Sequence, residues 1–186
     1  MMRRVSSTCR VFAAAKQGVA AVEFALILPI LVVMLLATFD GGRAIAAYMK
    51  MRAATYALAS ITNQYAKIQS VDMTSILGAT SVVMAPYSSG SPAVKISQVK
   101  INNSGVSKIE WSAAQNATAR TVNSTITPPS AMVVNGSYLI LAEVSYTYVP
   151  VFGFFGTSSG ITFTDSLYVT PRSVSCVVYV PQSSTC

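Results

Sequence analysis

The sequence predicts an α+β protein in which a long, membrane-anchored amino-terminal helix continues into a helix packed on a mainly antiparallel β-sheet. Two observations predict this class: residues 19–39 form an apolar run with one charge, and residues 138–180 alternate with the two-residue period of strands. Of the 186 residues, 52% are hydrophobic, 10% are charged and none is histidine. Average soluble domains carry about 25% charged residues, so this composition suits an exported, β-rich protein better than a cytosolic one.

Charge and residue usage exclude several classes of function. Without histidine there is no histidine-based triad and no histidine zinc ligand, and no nucleophile motif or carboxylate pair is apparent. We therefore expect no enzyme, no metal and no cofactor. The net charge is +7, but residues 53–186 hold six basic and four acidic residues, which is only +2. Basic residues that bracket an apolar run indicate membrane flanks, and we expect no nucleic-acid partner.

The apolar run from Val19 to Phe39 has the length of a membrane span. As a helix it would extend about 31 Å, which matches a bilayer core of about 30 Å. A cleaved secretory signal is the alternative, because small residues follow near residue 45. The run is longer than the usual apolar region of a signal, and that interpretation leaves Glu23 unexplained. We therefore favour an anchor whose amino end is cytoplasmic.

Glu23 is the informative residue of this run. A carboxylate placed centrally in a membrane segment costs roughly 2.5 kcal/mol or more and is usually paired or functional. One interpretation is that Glu23 lies near the interface and reaches water, and the other is that it pairs with a group on a neighbouring chain.

The residues around Glu23 carry a processing pattern. Gly18 precedes the apolar run, and counting from Val19 as the first residue places Glu23 fifth. A basic leader, a glycine and this glutamate resemble the type IV prepilin signature. The resemblance implies that a prepilin peptidase cuts after Gly18, and that Glu23 pairs with the freed α-amine of Val19 on a neighbouring subunit.

Residues 18–60 also resemble a particular branch, the TadE/TadG-like pilus assembly proteins of the tight-adherence system. The elements shared with that family are Val22-Glu23-Phe24-Ala25, Leu28-Pro29, Asp40-Gly41-Gly42-Arg43 and Ala53-Ala54. A second, softer likeness covers the strand-like stretches at residues 140–156 and 164–172. The family often has glutamate followed by an aromatic residue and glycine where this chain has Asp40 and two glycines.

Periodicity predicts the remaining elements. One apolar stripe predicts that the helix continues to about residue 70: Tyr48, Met51, Leu58, Ile61, Tyr65 and Ile68. A hairpin is predicted over residues 94–111, turning at residues 102–105. Further strands are predicted at 138–148, 161–169 and 174–180, which favours an antiparallel sheet.

The three cysteines divide by predicted topology. Cys9 lies in the leader, where the cytosol keeps thiols reduced. Cys176 and Cys186 would lie outside the cytosol, ten positions apart, and we expect a disulfide between them, the alternative being two unpaired thiols.

The resemblance and the residues together predict a minor pseudopilin of TadE type. We expect a cytoplasmic leader at residues 1–18, a transmembrane and amphipathic helix at 19–70 and a periplasmic, β-rich domain at 71–186, in the bacterial inner membrane and in the pilus after assembly. The expected partners are a prepilin peptidase, other pilins and pilus assembly proteins. Two alternatives stay open: an uncleaved, membrane-anchored envelope scaffold, and a secreted β domain released by signal peptidase near residues 45–50.

Overall fold

The computed structural model of the chain describes residues 17–87, 91–153, 160–180 and 182. The chain divides into two compact units after Gly42. Helix α1, Gln17–Thr62, begins in the first unit and ends in the second. The second unit adds β1 (Lys67–Ile68), α2 (Ser70–Met84), β2 (Ala93–Ile101), β3 (Ser107–Gln115), a short 3₁₀ helix (Ser130–Met132), β4 (Tyr138–Tyr148), β5 (Ile161–Val169) and β6 (Val178–Tyr179). The predicted α+β class is confirmed.

The first helix ends earlier than its apolar spacing predicted. It stops at Thr62, where a tight turn forms because the backbone N–H of Tyr65 donates to the carbonyl of Thr62 at 3.3 Å. The spacing of apolar residues predicted a longer helix because Tyr65 and Ile68, which follow the helix, happen to fall at helical intervals from Leu58 and Ile61. Ile68 is buried in β1 rather than in the helix. The prediction of one helix to about residue 70 was therefore wrong.

A second helix, α2, follows and was not predicted. Asp72 starts it by accepting a hydrogen bond from the backbone N–H of Gln69 at 3.1 Å, which satisfies a donor at the helix amino terminus. The helix ends before Pro86, because the residue preceding a proline is disfavoured in the helical region. Its buried face is Met73, Ile76, Leu77, Thr80 and Met84.

The main sheet is antiparallel throughout, in the order β3-β2-β4-β5. The β2–β3 hairpin turns at Gly105, whose φ of +78° is a conformation that favours glycine. Asn102 fixes this turn because its Oδ1 accepts from the backbone N–H of Ser104 and of Val106 at 2.9 and 2.8 Å. The predicted hairpin and the strands at 138–148 and 161–169 are confirmed.

Both faces of the sheet carry a hydrophobic core. The face toward the helices buries the alternating residues of β4 that the sequence placed together, from Ile140 to Tyr148. Residues 47–59 of α1 pack in this same core as Ala47, Met51, Ala54, Leu58 and Ala59. The opposite face holds a smaller cluster of Val99, Ile101, Ile109, Leu139 and Leu141, with residues 126–133 packed against it. Tyr48 and Tyr65, assigned to the buried stripe from the sequence, are each more than one third exposed.

The carboxy-terminal segment is held against the helix face of the sheet by two buried side chains. The backbone N–H of Val177 donates to Gln98 Oε1, and Trp111 Nε1 donates to the carbonyl of Val177, both at 2.7 Å. Strand β6 then pairs in parallel with β1. Only Val178–Tyr179 is a strand in this region, so the strand predicted over 174–180 is shorter than expected. Side-chain bonds to Val177 replace the ladder that a longer strand would form.

Candidate functional site

The candidate processing segment lies at the start of α1. Gly18, Val19 and Glu23 are all helical and exposed. Glu23 lies four positions after Val19, which places the two residues on one face of the helix, about 6 Å apart along its axis. The segment thus presents the residue that would become the amino terminus and the carboxylate side by side.

Beyond these residues the helix presents a continuous apolar surface. Between Val19 and Phe39, 13 large hydrophobic side chains are at least 43% exposed, and none of the helix's most apolar 18-residue stretch is buried. Burying a side chain of this kind completely is worth about 1.5–3 kcal/mol, and these side chains are on average a little more than half exposed, so covering the rest of the surface is worth roughly 10–20 kcal/mol. That amount is comparable with the net stability of an ordinary domain, about 5–15 kcal/mol. The helix is long and apolar enough to cross a membrane, and it fits a single-pass anchor.

The three glycines of this helix are not required for packing within the chain. Among the described residues, a Cβ atom added at Gly18, at Gly41 or at Gly42 would meet no atom within 4 Å. The described part of the fold therefore gives no steric reason for glycine at position 18. The helix also continues through Pro29 without a break.

Comparison with known proteins bears directly on this helix. Residues 18–60 match the family model described as TadE-like protein. We call residues 18–60 the TadE-like segment. The match covers less than half of the chain and shows similarity for this segment alone. No curated protein and no solved structure shows significant similarity to the chain.

The TadE-like segment contains all three residues of the expected processing and pairing site. Gly18, Val19 and Glu23 fall within its first six positions. The match covers 43 residues, from 18 to 60, and ends near the carboxyl end of α1. The sheet lies outside it.

The cysteine prediction falls partly outside the described residues. Cys176 is 2% exposed and disulfide-bonded. Cys9 and Cys186, the other two cysteines, both lie outside the described residues. The pairing of Cys176 with Cys186 therefore stays a prediction.

A groove of about 440 Å³ is lined by residues of β2, β4 and β5 and by Ala117, and sequence reasoning missed it. Its lining includes Lys95, Glu143 and Ser166, which are neighbours across β2, β4 and β5. The Arg120 guanidinium donates two hydrogen bonds of 2.8 Å to the Glu143 carboxylate. This hydrogen bonding raises the pKa of Arg120 above its ordinary value, although burial acts to lower it. In the described residues no group of three or more potential metal ligands occurs.

Proposed function

We propose that the chain is a minor pseudopilin of the tight-adherence pilus, cut by a prepilin peptidase after Gly18. The observation that carries the proposal is the coincidence of three features in one exposed helix: the TadE-like segment, the open Gly18 at its start and Glu23 in its apolar surface. Cleavage would leave Val19 as the amino terminus. In this account residues 1–18 are a cytoplasmic leader and the sheet domain is periplasmic.

Glu23 has a defined role in this proposal. In a low-dielectric helix bundle an unpaired carboxylate is costly, and a nearby ammonium group offsets that cost. The α-amine of Val19 on a neighbouring subunit supplies such a group. Within one helix, Val19 and Glu23 are four positions apart, which is about 6 Å along the axis. A stagger of about 6 Å between two parallel helices would therefore bring the α-amine of one chain level with the Glu23 carboxylate of the other. The exposed apolar surface of the helix would then exchange lipid for neighbouring helices.

An uncleaved envelope scaffold is the second candidate, and the exposed apolar helix supports it equally well, since an anchor also needs such a surface. Cleavage distinguishes the two. We expect Gly18→Val to leave unprocessed precursor in the membrane and to reduce piliation, because the peptidase needs a small residue at the cut. The readout is the size of the membrane-bound protein on an immunoblot.

A matched control for this substitution lies in the same helix. Gly42→Val makes the same chemical change at a glycine that also has open space around it, so it tests for a general effect on the helix. Gly42→Val should be processed normally. Mature protein of normal size from cells carrying Gly18→Val would count against the pseudopilin proposal.

Glu23→Ala separates the pairing role from simple anchoring. The variant should insert and be cut after Gly18, but it should fail to co-purify with pilins, because removal of one partner from a buried pair typically costs about 3–5 kcal/mol. If Glu23 only reached water, the substitution would be harmless. Undiminished co-purification of the mature variant at matched expression would refute the pairing role.

A further inference from the structure

The two edge strands of the main sheet, β3 and β5, differ in how far other segments of the chain cover them. The outer edge of β3 is covered: Ile109 exchanges backbone hydrogen bonds with residues 123–124, and the N–H of Ile126 donates to the carbonyl of Ser107 at 3.1 Å. Farther along β3, the N–H of Ser112 donates to Gln182 Oε1 at 3.0 Å. A register shift at Gln98/Val99 also distorts this hairpin. These are the means by which natural sheets protect an edge from pairing with other chains.

The described residues give the outer edge of β5 none of these protections. Within the part of the chain that the structure describes, no backbone group of Ile161–Val169 hydrogen-bonds beyond its ladder with β4. The nine residues pair with β4 without a register shift and contain no proline and no lysine. Their only charge is Asp165, at the centre of the strand. An edge of this kind is a template for the addition of another strand.

We propose that β5 is a docking site at which an extended segment of a partner protein adds as a further strand, with a lysine or arginine opposite Asp165. Main-chain hydrogen bonds would supply the affinity and the alternating side chains the specificity. Phe163 and Leu167 lie beside Asp165 on the helix side of the sheet, and hydroxyl residues occupy the other side. The partner segment should therefore be apolar on the side of its basic residue and polar on the opposite side.

The charge of the occupant follows from the surroundings of Asp165. Its side chain is 26% exposed, and among the described residues it forms an ion pair with Arg52, whose side chain is 63% exposed, at 4.0 Å. Such a long, exposed pair is weak, so Asp165 can gain from a cation on an added strand. Opposite charges facing each other across strands stabilise pairing, and like charges destabilise it.

A second copy of this chain fits the edge less well than a basic partner does. Antiparallel pairing of two β5 strands about their centres would set Asp165 opposite Asp165, which is a like-charge contact. Stacking copies side by side would require the outer edge of β3, which residues 123–126 and Gln182 occupy. The proposal concerns residues 161–169 only and holds whether or not the leader is removed.

Peptide binding to the full-length protein in detergent micelles tests the proposal. The probe is the fluorescein-labelled peptide Val-Thr-Val-Thr-Lys-Thr-Val-Thr-Val, compared by fluorescence anisotropy with the same peptide carrying glutamate at its centre. We expect the lysine peptide to bind roughly threefold to tenfold more tightly, as for a cross-strand charge pair. Two further lysine peptides carry N-methyl groups on alternate amides. One of these two should lose binding and the other should keep it, because only one set of amides faces β5.

Two variants of the protein locate the effect. Asp165→Asn should reduce the preference for lysine over glutamate to less than about twofold, because the cross-strand charge interaction is lost. Glu110→Gln is the matched control on the opposite edge, since Glu110 is also 26% exposed and has a comparable ion pair with Lys100 at 3.9 Å. This control should keep the preference of the unaltered protein.

Hydrogen–deuterium exchange gives a readout that is independent of affinity. The lysine peptide should slow exchange at residues 161–169 and leave β3 unchanged. The proposal is overturned if Asp165→Asn keeps the full preference, or if neither N-methylated peptide loses binding. It is also overturned if β5 becomes protected with rising protein concentration in the absence of peptide, because the occupant is then a second copy.

Discussion

Gln98 provides a test of what holds the carboxy-terminal segment on the sheet. The side chain is 1% exposed, and its Oε1 accepts the backbone N–H of Val177, a residue that is completely buried. Gln98→Met keeps a similar volume and an unbranched shape but removes the acceptor. The N–H of Val177 would then stay buried without a partner, at a cost of about 1–3 kcal/mol.

The full chain in micelles allows this loss to be measured directly. Trp111 is the only tryptophan, it is buried, and its ring lies 5.4 Å from that of Tyr179. Its fluorescence therefore follows unfolding of the sheet domain in urea. We expect the midpoint of Gln98→Met to fall by an amount equivalent to about 1–3 kcal/mol, with an unchanged slope.

Burial is the proposed cause of this loss, and an exposed glutamine makes the control. Gln182 also accepts a backbone hydrogen bond, from Ser112 at 3.0 Å, but it lies at the surface. Gln182→Met should change stability by less than about 0.5 kcal/mol, because water can replace the lost acceptor. Equal effects of the two substitutions, or no effect of Gln98→Met, would refute the reasoning.

Two further predictions concern the turn before β5 and the cysteines. Gly160 has a φ of +80°, and an added Cβ would lie 2.9 Å from a backbone oxygen, so Gly160→Ala should lower the free energy of unfolding by at least about 1–2 kcal/mol in the same urea assay. Gly153→Ala is its control, since that glycine also has a positive φ but nothing within 4 Å; a cost no larger at Gly160 would contradict the steric argument. For the cysteines, thiol labelling of the denatured, unreduced mature protein should modify neither Cys176 nor Cys186, and complete labelling of both would refute the predicted bridge.

The sequence predicted those parts of the fold that repeat a simple period. The alternation from Tyr138 to Tyr148 survives as β4, with Ile140, Val144 and the tyrosines Tyr146 and Tyr148 in the helix-side core. The apolar run survives as an exposed helical surface. Both patterns persist because one face of each element meets one kind of environment along its whole length.

Elements that depend on local competition were harder to predict. Helix α2 contains Thr74, Ser75 and Ser81, residues that also favour turns and caps. Its start is capped by the hydrogen bond from the backbone N–H of Gln69 to Asp72. The predicted stripe of α1 was right at Met51 and Leu58, which are buried, and wrong at Tyr48, which is 39% exposed. Small residues such as Ala47 fill the buried face, and an alanine gives little apolar signal in a sequence.

The candidate site was predictable only where it consists of neighbours along the chain. Gly18, Val19 and Glu23 are close in sequence, so helical spacing alone brings them together. Arg120 and Glu143, and Gln98 and Val177, are 23 and 79 residues apart. The residues of such pairs meet only after the sheet has formed. A single arginine, glutamate or glutamine is not part of any sequence pattern, so the sequence does not predict its partner.

The mature amino terminus tests the central claim most directly. We propose that the chain is processed as a pseudopilin, so amino-terminal sequencing of the protein purified from membranes should begin at Val19, and its intact mass should correspond to loss of residues 1–18. A sequence beginning at Met1 or Met2 would identify an uncleaved anchor, and one beginning near residues 45–50 would identify a secreted domain. Either of those results would contradict the account.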